Sequence, residues 1–175
     1  HVHADHVTSA SALREILGCK VAGPAKDYLK CRDVNFKDND KLIVGNTIKL
    51  KAIYTPGHTD THFSYTINHR DDKFLFSGDA LLINACGRTD FQSGSSKELY
   101  NTIKNIFYKM PENTIVFPGH DYNKNNFSTI LEQKKANTLI DDSISVEKFI
   151  DNMKKLKLDK PKKIDVAVPK NMDCG

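Results

Sequence analysis

The sequence predicts an α+β fold in which most of the helices follow antiparallel strands. Residues 41–58 and residues 62–79 each have the pattern of two strands joined by a polar turn. Residues 95–110 and 145–156 instead carry apolar side chains at helical spacing. Hairpins that are followed by amphipathic helices are typical of domains built from packed layers of helix and sheet.

The first predicted elements are a helix over residues 8–17 and a short strand over residues 20–24. Thr8 or Ser9 can cap the start of the helix, and Gly18 is expected to end it. One apolar face of this helix is formed by Leu13, Ile16 and Leu17.

The central part of the chain contains the two predicted hairpins and a loop. A Gly-Asn turn at residues 45–46 joins the first pair of strands, and polar residues 68–73 join the second pair. Residues 80–94 are then predicted to form a loop.

Helices dominate the second half of the chain. Ser95 and Glu98 form a capping-box pair at the start of the helix over residues 95–110. Residues 113–120 are predicted to form a buried strand that ends in a histidine. Two further helices are predicted over residues 127–137 and 145–156.

The composition indicates one soluble domain over residues 1–175. The chain is 39% hydrophobic and 27% charged, and no apolar run approaches the roughly 20 residues that span a bilayer. The formal net charge is +4, and much of the excess lies in residues 152–163. We interpret that basic stretch as a solvated face, so neither a nucleic acid nor a membrane is expected as a partner.

Cysteine spacing and the start of the chain give two further expectations. The four cysteines, at positions 19, 31, 86 and 174, show no C-x-x-C spacing. This argues against a disulfide framework or a zinc ribbon and favours a reducing compartment. Because the chain opens directly on a histidine-rich motif, we expect the leading strands of the fold to be absent from it.

The opening segment HVHADH concentrates three histidines and one aspartate in six residues. In an extended loop, residues two apart point the same way, so His1, His3 and Asp5 can share one side while His6 turns to the other. Imidazole and carboxylate groups without a nearby cysteine suit zinc, iron or manganese rather than a thiolate structural site.

Three more residues with metal-binding side chains lie where predicted strands give way to loops. They are His58, Asp79 and His120, and a glycine directly precedes each of them. Glycine allows unusual backbone angles and removes the side chain that would block a close approach. Functional groups that several strands bring to one end of a sheet make a preformed site, so this set predicts a metal centre.

The ordered motifs HxHxDH, TPGHT, GDA and PGHDY resemble the metallo-β-lactamase superfamily over essentially all 175 residues. The resemblance implies a four-layer αββα sandwich with one or two metal ions at the sheet edges. The stretches GDALLINACGRTDFQSG, FPGHDY and KKIDVAVPKNMDCG are similar to the glutathione persulfide dioxygenase branch. The alternative branch is glyoxalase II, which hydrolyses thioesters.

The two branches imply different uses of the same metal-binding residues. In a persulfide dioxygenase, one Fe(II) per chain would be bound by His1, His58 and Asp79, two histidines and a carboxylate that leave positions open on one face. The surrounding groups, which would orient these ligands, are His3, Asp5, His6 and His120. In glyoxalase II the full set would hold two zinc ions or a mixed zinc and iron pair, with Asp79 as the bridge.

Three further residues are implicated in substrate binding by the resemblance. Arg88 matches a substrate-site arginine and could bind a glutathione carboxylate, although an ion pair with Asp90 is an equal alternative. Tyr122 could donate a hydrogen bond to the substrate, or it could be a half-buried structural tyrosine. Lys135 stands where the family often has arginine, and it lacks the bidentate fork of arginine. Arg88 and Tyr122 are also the candidate catalytic residues.

The resemblance therefore implies oxidation of the persulfide sulfur of glutathione persulfide to sulfite by O2. The alternative activity is hydrolysis of a hydroxyacylglutathione thioester by a metal-bound hydroxide. A third hypothesis, a nucleic-acid binder on the same fold, is supported only by the basic stretch. The family further implies a homodimer and a mitochondrial or other organelle matrix, with the cytoplasm as the alternative location.

Overall fold

A computed structural model of the protein describes residues 1–27, 29–122 and 124–175. These residues fall into two compact units, one formed by residues 1–37 and 157–175 and the other by residues 38–156. Among the described residues, no helix combines the length and the apolar character that crossing a membrane requires.

The described elements of the first unit come from both ends of the chain. They are α1 (Ala10–Leu17), β1 (Ala22–Pro24), β2 (Val34–Phe36) and α5 (Ile164–Met172). β1 and β2 pair in parallel. Gly18 ends α1 in the left-handed conformation, as predicted. The predicted apolar face of α1 is nevertheless solvent-exposed, since Ile16 and Leu17 are 77% and 67% exposed.

The prediction that the cysteines form no disulfide is wrong for Cys31 and Cys174, which are bonded to each other. Their Cα atoms lie 6.0 Å apart, although they are separated by 143 residues in the sequence. The backbone N–H of Ser11 in α1 also donates to the Cys174 carbonyl, at 2.8 Å. The spacing of cysteines along the sequence cannot reveal a pair that only the folding of the C-terminal segment brings together. Cys19 and Cys86 are free thiols.

The second unit is built on a six-stranded sheet. Its strands are β3 (Lys41–Val44), β4 (Ile48–Tyr54), β5 (Phe63–His69), β6 (Asp72–Gly78), β9 (Ile115–Pro118) and β10 (Ser128–Thr129). Their order in the sheet is β10-β9-β6-β5-β4-β3. A separate short hairpin pairs β7 (Leu81–Leu82) with β8 (Ala85–Cys86).

Strand direction in this sheet decides where the loops meet. β4, β5 and β6 are successive antiparallel neighbours, so β4 and β6 run in the same direction. β9 pairs with β6 in parallel. The carboxyl ends of β4, β6 and β9 therefore all lie along one edge of the sheet.

The helices of the second unit supply the other part of its core. They are α2 (Ser96–Asn105), α3 (Ile130–Ala136) and α4 (Val146–Lys155), with a 3₁₀ turn at Phe107–Lys109. Side chains of the sheet and of the helices form one buried cluster, in which Leu75 and Val116 of the sheet meet Leu99, Phe107 and Phe149. This cluster holds the sheet in place beneath the loops at its edge.

The predicted hairpins and helices are confirmed. The prediction of a loop over residues 80–94 is wrong in part, because β7 and β8 form a short hairpin there. The other differences lie mainly at element ends. α2 ends at Asn105, and the last residues of its predicted span form the 3₁₀ turn. α3 begins at Ile130 rather than at residue 127, because Ser128 and Thr129 pair with β9. α5 was missed, since its sequence contains Pro169 and follows a basic stretch that hides the apolar pattern.

Candidate metal centre

The loops at the common edge of the sheet bring His58, Asp79 and His120 together. His58 follows β4, Asp79 follows β6 and His120 follows β9, and these three strands run in the same direction. The predicted convergence of these residues is therefore a consequence of strand direction.

Asp79 lies between the two histidines, and each of its carboxylate oxygens faces one ring. His58 Nε2 is 3.6 Å from Asp79 Oδ2, and His120 Nε2 is 3.6 Å from Asp79 Oδ1. These separations are longer than direct hydrogen bonds. Two atoms that each lie about 2.1 Å from one metal ion, at a tetrahedral angle, are about 3.4 Å apart. The spacing and the donor set of imidazole and carboxylate thus fit a first-row divalent metal.

The orientation of His58 is fixed from behind by the loop that follows β8. His58 Nδ1 lies 2.8 Å from the backbone carbonyl oxygen of Arg88. A carbonyl oxygen can only accept, so Nδ1 carries the proton and donates it. Nε2 is then left with its lone pair, and it is the atom that faces Asp79. This arrangement is typical of metal-binding histidines.

Glycine at two positions allows the backbone to approach this closely. A Cβ on Gly119 would lie 2.5 Å from Asp79 Oδ1, so any larger residue would collide with the carboxylate. Gly78 has φ +53°, and a Cβ there would lie 2.7 Å from His62 Nε2. These contacts explain why a glycine precedes Asp79 and His120 in the sequence.

His62 is a contributor that sequence reasoning did not assign. Its side chain is fully buried, and its Nε2 lies 3.3 Å from the backbone nitrogen of Asp79. Its Nδ1 lies 2.8 Å from the Thr55 hydroxyl. The available signal was a second histidine four residues after His58, within the motif TPGHTDTH.

The predicted substrate residues occupy three different environments. The Arg88 guanidinium makes two hydrogen bonds of 2.7 and 2.8 Å to the Asp90 carboxylate. This contact is the main reason that the pKa of Asp90 lies below its ordinary value. Tyr122 is exposed and its ring stacks on that of His120, with centroids 6.1 Å apart. Lys135 is exposed in the last turn of α3.

Cys86 is buried in β8. Its Sγ lies 3.8 Å from Met153 Sδ. Burial raises the pKa of the Cys86 thiol to about 12, so the thiol is neutral at physiological pH.

The HVHADH segment forms a histidine cluster within the first unit. The rings of His1 and His3 meet edge to face, with their centroids 4.5 Å apart. His6 Nδ1 lies 2.8 Å from Asp5 Oδ1. One ligand atom from each of His3, Asp5 and His6 lies within 4.8 Å of the others. The prediction that His6 turns away from His3 and Asp5 is wrong, because residues 4–6 bend instead of staying extended and the ring centroids of His3 and His6 lie 4.1 Å apart.

Asn171 of α5 holds the backbone of this segment. Its Nδ2 donates to the carbonyl oxygens of His3 and His6, at 2.9 and 2.8 Å. Its Oδ1 accepts from the backbone N–H of Thr8, at 2.7 Å. The side chain is only 2% exposed. A single buried amide thus fixes three backbone groups around the histidine cluster.

Comparison with known proteins gives a consistent picture. A family model described as the metallo-beta-lactamase superfamily matches residues 1–120. The chain is 38% identical to a protein named Persulfide dioxygenase ETHE1, mitochondrial, from Bos taurus, over 100% of the chain and 67% of that protein. It is 35% identical to a Hydroxyacylglutathione hydrolase from Bartonella tribocorum, over 72% of the chain and 48% of that protein.

A solved structure supports the same comparison at the level of the fold. The crystal structure of ETHE1 from Myxococcus xanthus matches with a TM-score of 0.93 and 40% sequence identity. The match covers 100% of this chain and 75% of that one.

Proposed function

Because the chain belongs to the metallo-β-lactamase superfamily and, within it, to the persulfide dioxygenase family, we propose that it oxidises glutathione persulfide with O2. The resemblance that the motifs predicted is confirmed, and so is the α+β fold class. In the proposed reaction, glutathione persulfide, O2 and water yield glutathione, sulfite and two protons. The terminal sulfur loses four electrons to O2, and the sulfur–sulfur bond breaks.

The observation that carries this proposal is the extent of the sequence similarity. Similarity to the persulfide dioxygenase covers the whole chain, including the loop at residues 80–94 and the C-terminal segment. Similarity to the hydroxyacylglutathione hydrolase covers 72% of the chain. The ligand residues are common to both branches, so the remaining parts of the chain favour the dioxygenase.

We assign the metal as one Fe(II) per chain, bound by His1, His58 and Asp79. When bound, an iron of this kind supplies the redox chemistry for O2 and sulfur, and the protein supplies position and exclusion of water. The Arg88 carbonyl orients His58 so that its Nε2 is available as a ligand. His3, Asp5, His6 and His120 then orient the ligands and the substrate around the metal.

Arg88, Tyr122 and Lys135 are proposed to bind the glutathione part of the substrate. Arg88 is supported by its place in the loop whose carbonyl group contacts His58. Tyr122 is supported by its exposed hydroxyl-bearing ring, which stacks on His120. Lys135 offers a cationic side chain for a carboxylate of glutathione, without the paired hydrogen bonds that arginine would make.

Two further assignments follow from the family. We propose a homodimer, and we place the protein in a mitochondrial or other organelle matrix, with the cytoplasm as the alternative. Three relatives that are each 38% identical over 100% of this chain carry the word mitochondrial in their names.

The test is a metal analysis of anaerobically purified protein together with oxygen uptake on glutathione persulfide. We expect about one iron per chain, as the ligand set of two histidines and one carboxylate in a non-haem Fe(II) oxygenase requires. We also expect oxygen consumption with sulfite as the product. Asp79→Ala should lose both iron and activity, whereas Asp71→Ala, which changes an exposed carboxylate in the β5–β6 turn, should retain both.

The glyoxalase II alternative makes the opposite forecast in the same experiment. It requires about two metal ions per chain, hydrolysis of S-lactoylglutathione and no oxygen uptake. That outcome would overturn the dioxygenase assignment and place His3, Asp5, His6 and His120 among the direct ligands.

A further inference from the structure

We propose that His62 is a positioning residue for Asp79. It acts through a buried series of hydrogen bonds in which the donor and the acceptor of every bond are fixed. This inference rests on the proposed function in one respect, namely that Asp79 is a metal ligand. It concerns a histidine that neither the metal-binding motifs nor the substrate residues include.

The chain of hydrogen bonds starts at the backbone of Asp79 and ends at a carbonyl group. The Asp79 N–H faces His62 Nε2 at 3.3 Å, and His62 Nδ1 lies 2.8 Å from Thr55 Oγ1. Thr55 Oγ1 lies 2.9 Å from Ser64 Oγ, which lies 3.2 Å from the Ser77 carbonyl oxygen. The four contacts connect the ends of β4, β5 and β6.

The two ends of this chain fix the direction of every bond in it. A backbone N–H can only donate, so His62 Nε2 accepts and the ring proton is on Nδ1. His62 Nδ1 therefore donates to Thr55, and Thr55 donates to Ser64. Ser64 then donates to the Ser77 carbonyl, which can only accept. Each donor in the chain has an acceptor, and His62 is held as one neutral tautomer.

Burial makes this order strict. His62, Thr55 and Ser64 are all 0% exposed, so water cannot replace a partner that is lost. A proton on Nε2 would set two donors against each other at the Asp79 N–H. Buried polar groups without a partner are costly, so the alternative tautomer is disfavoured.

The position of these hydrogen bonds explains how they support the proposed metal centre. Asp79 directly follows Gly78, whose φ of +53° turns the backbone out of β6. Gly78 also leaves room for the His62 ring, which a Cβ would displace. The bond from the Asp79 N–H to His62 fixes the backbone after this turn. The Asp79 carboxylate is thereby held between His58 and His120.

Two substitutions at position 62 separate this role from simple packing. The amide oxygen of glutamine reaches the place of Nε2, so His62→Gln keeps an acceptor for the Asp79 N–H and loses the bond to Thr55. The amide nitrogen of asparagine takes the place of Nδ1, so His62→Asn keeps the bond to Thr55 and loses the one to Asp79. His69→Gln, at the exposed end of β5, is the matched control.

The readout is binding of Co²⁺, measured by competition with a chromogenic chelator and by its visible absorption bands. We expect His62→Asn to weaken Co²⁺ binding by about 10- to 100-fold, the usual effect of removing a group that orients a metal ligand. His62→Gln should stay within about threefold of the unsubstituted protein, as should His69→Gln, if the bond to Asp79 is what matters. Only His62→Asn should change the absorption bands.

Equal effects of the two His62 substitutions, whether both lose affinity or neither does, would overturn the positioning role. If neither variant folds, the imidazole ¹⁵N shifts of His62 in the unsubstituted protein report its tautomer, and a proton on Nε2 would overturn the positioning role. Asp79→Ala distinguishes this failure from that of the proposed function. If Asp79→Ala binds Co²⁺ normally, the ligand assignment itself is wrong.

Discussion

Replacement of Asn171 by alanine tests whether the C-terminal helix supports the histidine segment. In the sequence, Asn171 is remote from residues 1–8, yet its side chain makes three hydrogen bonds with their backbone. Alanine would leave two carbonyl groups and one N–H group without these partners. No charge and no metal-binding side chain is altered by the substitution.

The expected magnitude follows from the three bonds. Each contributes about 1 kcal/mol of net stability, so Asn171→Ala should cost about 3 kcal/mol. For a chain of this length, that corresponds to a fall in melting temperature of about 6–12 °C. Asn171→Asp should cost at least as much, because aspartate keeps the acceptor for the Thr8 N–H but turns a carboxylate oxygen toward two carbonyl groups.

The assay combines urea unfolding with amide hydrogen exchange of residues 2–8. We expect the Thr8 amide to lose protection in both Asn171 variants, together with the drop in stability. Lys170→Ala is the control, since Lys170 is an exposed neighbour on the same helix. If Asn171→Ala behaves like Lys170→Ala in both measurements, the reasoning that α5 fixes the histidine segment is refuted.

Four further outcomes are expected. Gly119→Ala should weaken Co²⁺ binding by about tenfold or more, because the new Cβ would lie 2.5 Å from Asp79 Oδ1. Chelator competition measures the affinity, and an unchanged affinity would show that the new Cβ does not displace the Asp79 carboxylate. Iodoacetamide at pH 8 should modify Cys19 but not Cys86 in the folded protein, as mass spectrometry would report, because burial raises the pKa of Cys86 to about 12. Because the pKa of Cys86 is higher in the folded protein than in the unfolded chain, the neutral thiol contributes stability that is fully present below about pH 8.5 and is lost as the pH rises toward 12. Urea unfolding across this pH range would detect the loss. Thr129→Ala should lower stability by about 1 kcal/mol, because it removes the capping box of α3; an unchanged urea midpoint would refute this.

Elements that depend on local pattern were predictable from the sequence. The hairpins of β3 to β6 follow from alternating apolar residues around polar turns, and α2 follows from the Ser95 cap and its apolar spacing. The convergence of His58, Asp79 and His120 was also predictable, because each residue follows a strand. Such signals lie within ten or so residues, the distance over which periodicity and capping act.

Elements that depend on distant contacts were not predictable in this way. The start of α3 is set by strand pairing of Ser128 and Thr129 with β9, which overrides the helical spacing of the same residues. The Cys31–Cys174 disulfide and the contacts of Asn171 join segments more than 140 residues apart. The role of His62 depends on which neighbours the sheet places around its ring. In each case the structure depends on which distant residue the fold brings into contact, and the local sequence does not show this.

The arrangement of the proposed ligands also shows how one set of residues can serve two reactions. Asp79 presents one carboxylate oxygen to His58 and the other to His120, so it can serve one ion or bridge two without a change of ligand residues. The choice must then come from what surrounds the ligands. The loop at residues 87–92 is one such determinant, because the Arg88 carbonyl orients His58 while the Arg88 guanidinium is held by Asp90. One loop thus couples the geometry of a proposed metal ligand to the residue proposed to bind the substrate.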